Sequence, residues 1–146
     1  FQIPGFVALL NEQNHDVRII PLDGRPHVDA RIAQWMGDSR GRWEGDTLVV
    51  ETQHFNGKHD QIARPLLSSG ESLTLVERFT RTDGETLVYE FTVSDPTIWV
   101  TPWSVEHPMK QNPNLIYEFA CHEGNYGMHN IMAGSRQEER EAGRTR

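Results

Sequence analysis

Cysteine is almost absent from this chain: among 146 residues only Cys121 carries a thiol, so no disulfide can form within it. Exported proteins without bridges are common, and the thiol content therefore assigns no compartment. Basic residues are also scarce. Lys and Arg number 14 against 21 Asp and Glu, a net charge of -7, which argues against a protein built to neutralise nucleic-acid phosphates or anionic lipid. No apolar run approaches the roughly 20 residues of a membrane-spanning helix. Internal repeats of solenoid length are missing too. The first residue is Phe1 rather than Met, from which a processed or trimmed chain is expected, any signal peptide having been removed. Familiar catalytic signatures are equally thin. There is no His-x-x-x-His helix face, and a single cysteine excludes a thiolate cage. The run Gly37-Asp38-Ser39-Arg40-Gly41 lacks the strand-to-helix context that a nucleophile elbow demands.

What is present is strand-like. A chain of 146 residues makes one domain. Residues 6–10 and 16–20 read as two strands joined by a polar turn, and the β-branched run 47–52 follows the Glu44-Gly45-Asp46 turn as the second arm of a hairpin. Residues 28–36, with Ala30, Ile32, Ala33, Trp35 and Met36, suit one short helix or an irregular lid. A long polar loop covers 54–72. The clearest hairpin spans 72–93. Leu73, Leu75, Glu77 and Phe79 share one face of its first arm, and Leu87, Tyr89, Phe91 and Val93 share one face of the second. Matching those faces requires an odd-numbered loop such as Asp83-Gly84-Glu85, which places Glu77 on the buried side. Trp99, Pro102 and Trp103 belong to an aromatic connection, and a last strand covers 115–121. The expected fold is all-β, an antiparallel meander over 1–134 closing into a lipocalin-like barrel, followed by a charged tail, 135–146, helical or disordered.

The segments Arg18-Ile19-Ile20-Pro21-Leu22-Asp23-Gly24-Arg25-Pro26-His27, Gln34-Trp35-Met36-Gly37-Asp38-Ser39-Arg40-Gly41, Trp43-Glu44-Gly45-Asp46-Thr47-Leu48-Val49-Val50 and Ala120-Cys121-His122-Glu123-Gly124-Asn125-Tyr126 carry a likeness across nearly the whole chain. Through them the chain resembles the C-terminal portion of a large group of uncharacterised bacterial proteins, many from soil bacteria. The resemblance implies export, to the periplasm or outside the cell, and brings no activity. The Asp-Gly hairpins are also similar to those of lipocalin-like (calycin) barrels.

Several side chains can carry chemistry. Glu77, a carboxylate on an apolar strand face, must be paired, hydrogen-bonded or protonated, which suits either a general acid or base or a structural ion pair with Arg40, Arg78 or Arg18. His122 beside Glu123 is a candidate proton carrier, although neighbours in a strand point to opposite faces. Arg40 is expected to steady developing negative charge. Glu77, His122 and Arg40 thus form the expected catalytic set, and His27, Asp38, Trp35, Trp43, Trp99, Trp103 and Asn125 the ligand-binding set. No cofactor is expected. A divalent metal held by His15, His27 and His122, with His129, Asp16 or Cys121 nearby, stays open. Cys121 itself suits a small buried hydrophobe. Two functions fit: acid–base chemistry, hydrolytic or eliminative, on a small organic substrate, or binding of such a molecule without turnover. A homodimer through an exposed strand edge is open as well.

Overall fold

Alternation along the first strands decides which side chains face inward. In the computed structural model, which describes residues 1–58, 70–120 and 123–144, β1 (Gln2–Ile3), β2 (Phe6–Leu10) and β3 (Val17–Pro21) form an antiparallel sheet in that order. A 3₁₀ turn at Gln13–His15 joins β2 to β3. Val7 lies opposite Ile20 and Leu9 opposite Arg18. Side chains two residues apart share a face, so Arg18 points the same way as the buried Ile20.

The second sheet is a five-stranded meander of β4 (Asp38–Glu44), β5 (Thr47–Gln53), β6 (Thr74–Arg81), β7 (Thr86–Ser94) and β8 (Trp103–Lys110). Glu44 pairs with Thr47, leaving a two-residue turn whose first position, Gly45, has φ +62°, a left-handed value that favours glycine. Arg81 pairs with Leu87, which centres an odd-numbered loop on Gly84. Glu77 consequently faces Phe91 across the ladder, and Phe79 faces Tyr89, as the two apolar patterns require.

The two sheets meet over a core of Val7, Ile20, Leu48 and Val50, with Leu9, Leu22 and Phe79 packed around it. Burial of each such aliphatic side chain stabilises by about 1.5–3 kcal/mol. Gly41 lets β3 approach β4 closely. A Cβ there would lie 2.7 Å from Ile20 Cγ2 and 2.7 Å from Leu22 Cδ2. At its far end β7 is closed by Asp95, which accepts bonds from the Thr97 N–H at 2.9 Å, the Thr97 hydroxyl at 2.6 Å and the Gly70 N–H at 2.8 Å.

Three expectations change. No ladder among the described residues joins β8 to β4 or one sheet to the other, so they form two open sheets rather than a closed lipocalin-like barrel. Of the two readings open for residues 28–36, the structure shows the irregular one, turns and bends without a helix. The Asp29 carboxylate accepts the Arg31 N–H at 2.9 Å, a local turn that competes with helix, and Gln34 gives its N–H to His54 O and its carbonyl to Asn56 N–H. The last strand is β8, not 115–121. Residues 115–120 form no strand, and Leu115, Ile116, Tyr117 and Phe119 are exposed. Pro108 lacks a ladder donor and is accommodated because β8 lies at the sheet edge. The charged tail is helical, and its helix α1 (Gly127–Arg144) begins ahead of the expected boundary at Gly134. Much of the long loop, 59–69, lies outside the described residues.

Candidate functional site

Two polar clusters sit on opposite faces of the five-stranded sheet. Cross-strand pairing aligns Gly41, Val50, Glu77 and Phe91 in one row and Arg40, Glu51, Val76 and Thr92 in the next. Adjacent rows point in opposite directions. Glu77 and Arg40 therefore do not share a cavity, and the expected joint role of these two residues is not met by the fold.

On the inner face, Glu77 is 3% exposed and is held by Arg18 through two bonds, Nη1 to Oε2 at 2.6 Å and Nη2 to Oε1 at 2.9 Å. The Tyr89 hydroxyl donates a third bond to Oε1 at 2.8 Å. Burial pushes the Tyr89 hydroxyl pKa up, and the Glu77 charge and hydrogen bond push the same way, so it stays a donor. Of the ion-pair partners open to Glu77 in the sequence, the structure selects Arg18. Arg78 instead reaches Glu44 at 3.0 Å on the outer face, where Arg42 joins the same carboxylate at 2.7 Å.

This triad borders a cleft of about 540 Å³ between the sheets, lined mainly by apolar groups including Leu9, Leu10, Phe79, Leu87 and Met109. A row of rings leads away from it. Phe79 stacks on Tyr89 with centroids 4.9 Å apart, and contact passes to Phe91 at 5.4 Å, to Trp103 at 5.9 Å and to Trp99 at 5.5 Å. The other two tryptophans lie elsewhere. Trp43 is half-exposed on β4, beside Gly5 and Leu22, and Trp35 is exposed in the strap formed by residues 22–37. The four indoles expected to bind a ligand are thus not brought together.

On the outer face, the strap is pinned by Asp38, only 7% exposed at the start of β4. Its carboxylate accepts bonds from His27 Nδ1 at 2.9 Å, the Val28 N–H at 3.0 Å and Arg40 Nη1 at 2.7 Å. Burial pushes the Asp38 carboxyl pKa up, but these three donors outweigh it and hold the group below the ordinary aspartate value. A carboxylate only accepts, so His27 carries a proton on Nδ1 and turns Nε2 away from Asp38. Glu51 Oε1 is 3.9 Å from that Nε2. The His54 ring lies edge-on to His27 at 5.8 Å, with φ +58° and a buried Nδ1 that finds no hydrogen-bond partner among the described residues. Arg40 also donates from Nε to the Pro26 carbonyl at 3.0 Å and from Nη1 to the Ser39 carbonyl at 2.7 Å, so it clamps the strap.

The structure thus joins His27, Asp38 and Arg40 but separates them from Glu77. Asn125 accepts the Gly127 N–H at 3.0 Å and caps the start of α1. His15 and His129 are exposed, on the 3₁₀ turn and on α1. His122 and Cys121 lie outside the described residues. Among the described residues no group of three His, Cys, Asp or Glu side chains is arranged to hold a metal ion. Sequence reasoning passed over Tyr89, Glu51 and His54 as site residues. Strand parity carried a signal for Glu51, since it pairs directly with Arg40. Compared with family models, curated proteins and solved structures, the chain finds no match.

Proposed function

We propose that this protein binds a small, largely apolar organic molecule in the cleft between its two sheets, without turning it over there. The observation that carries this reading is the Arg18–Glu77–Tyr89 triad set in an apolar cleft. A volume of about 540 Å³ lies within the range of roughly 300–1,000 Å³ typical of small-molecule pockets. Such pockets combine apolar walls with a few fixed polar groups. Glu77 is poorly suited to acid–base work here, because both its oxygens already accept bonds from Arg18 and one also from Tyr89. A triad of this kind orients a ligand's single polar end while Phe79, Leu87 and Met109 take its body. The comparison with lipocalin-like barrels belongs to the same proposal, since antiparallel strands around an apolar cavity serve this role without a closed ladder. Export, implied by the bacterial resemblance, would have the ligand met outside the cytoplasm.

Titration with a neutral solvatochromic dye such as Nile red, followed by competition with fatty acids, terpenes and flavonoids, tests the reading. Saturable binding is expected. The Leu87→Trp, Met109→Trp double variant fills the cleft from partly exposed positions and should weaken binding at least tenfold, a loss of about 1.4 kcal/mol. Unchanged dye affinity in a variant with unchanged circular dichroism would sink the proposal, as would an absence of saturable binding by the unaltered protein.

A further inference from the structure

The outer-face cluster has a geometry that the ligand cleft does not use. His27 has its Nδ1 proton committed to Asp38, which leaves Nε2 as a basic lone pair with an oriented ring. This is the arrangement in which a carboxylate fixes the tautomer of a general base and stabilises the imidazolium that forms when it takes a proton. The Nε2 to Glu51 Oε1 separation of 3.9 Å is too long for a direct hydrogen bond and suits one bridging water. Both flanking atoms are acceptors, so such a water would donate both its protons and turn an oxygen lone pair outward. The His27 side chain keeps 20% of its surface exposed and that of Glu51 38%, which leaves the position between them open to a reactant. Alongside, His54 holds a buried Nδ1 without a partner among the described residues and a left-handed backbone, two costly features of the kind that cluster at functional sites.

We propose that His27 and Glu51 hold a nucleophilic water and that this centre hydrolyses small uncharged acyl esters, with Asp38 as the positioning residue behind His27. The water oxygen attacks the ester carbonyl as one of its protons passes to His27 Nε2. The tetrahedral intermediate then expels the alcohol oxygen, which takes that proton back from Nε2, so water and ester give acid and alcohol and His27 returns to its neutral form. Glu51 and Asp38 repel anions, which disfavours phosphate esters and points to an uncharged acyl group. Arg40 holds the strap through Nε and Nη1, bound to Asp38 and two carbonyls, and takes no step in this scheme. The acceleration is therefore that of a positioned general base, about 10²–10⁴-fold.

The test is release of p-nitrophenol from p-nitrophenyl acetate by the whole chain, compared with free 4-methylimidazole at equal concentration. The protein is expected to be at least about 10²-fold faster per imidazole, with a clear solvent deuterium isotope effect. His27→Gln should return the rate to background, and Glu51→Gln, at a partly exposed position, should lower it about tenfold. Asp38→Asn should lower the rate and also shift the His27 tautomer in ¹⁵N spectra. A rate no better than free imidazole overturns the proposal, as does activity that survives both His27→Gln and Glu51→Gln. Should the His27 or Asp38 variant fail to fold, ¹⁵N spectra of the unaltered protein decide on their own: a neutral His27 protonated on Nε2 overturns it.

Discussion

Replacing Glu77 with leucine leaves the Arg18 guanidinium facing an apolar cleft with neither of its charged bonds. The side chains of Arg18 and Glu77 are only 11% and 4% exposed, so water cannot restore the lost interaction. Removing one partner of a buried pair costs about 3–5 kcal/mol, because the remaining charge is uncompensated. Arg18→Met should cost a similar amount, with Tyr89 as the one remaining donor to Glu77. The triple variant Arg18→Met, Glu77→Leu, Tyr89→Phe removes all three polar groups together and should come back to within about 1–2 kcal/mol of the original stability, or exceed it. Urea unfolding followed by far-ultraviolet circular dichroism reads this directly. With a slope of about 2 kcal/mol/M, each single substitution should lower the midpoint by roughly 1.5–2.5 M, while the triple should lie near the parent. If the single losses simply add in the combined variant, or if either is below about 1 kcal/mol, the two sheets are not stapled by this triad and the reasoning is wrong.

Two further outcomes follow from the packing and the charges. Gly41→Ala forces a methyl against Ile20 and Leu22 at 2.7 Å, an overpacking expected to cost about 1–3 kcal/mol, read as a lower melting temperature. An unchanged melting temperature would mean that β3 and β4 part freely. Acid should weaken the fold through Asp38. Its folded pKa lies below the unfolded aspartate value of about 3.9, so its stabilisation is present above that value and is lost as pH falls through the folded pKa. Asp95 behaves in the same sense, its burial outweighed by Thr97 and Gly70. The urea midpoint of Asp38→Asn should therefore fall less between pH 5 and 2 than that of the parent, and parallel curves would refute the assignment.

The hairpin that carries Glu77 was readable because two alternating arms and an odd Asp-Gly loop leave one register that buries both apolar sets. Its partner Arg18 was readable only as one of several arginines, since strand alternation sets the face of a residue and not which sheet will lie against it. The separation of Arg40 from Glu77 depends on the parity of pairing between β5 and β6, across a connection of residues 54–73 that encodes no register of its own. Residues 115–120 alternate as well as β8 does, yet alternation supplies no partner, and β8 had the free edge of β7. Pro108 disguised β8, because proline argues against a central strand while an edge strand tolerates it. For the strap the sequence left helix and irregular lid open, and contacts distant in sequence, from Gln34 to the segment around Phe55, go with the irregular form.

The alternation of β5 makes one backbone a partition between two compartments. Val50, fully buried, belongs to the side that holds Glu77, and its neighbour Glu51 belongs to the side that holds His27. A single peptide unit separates the two chemistries, and no side chain needs to serve both. The Arg18–Glu77–Tyr89 cluster and the His27–Asp38–Arg40 cluster can therefore drift, be redesigned or be lost one at a time, each addressed by every second residue of the same strand.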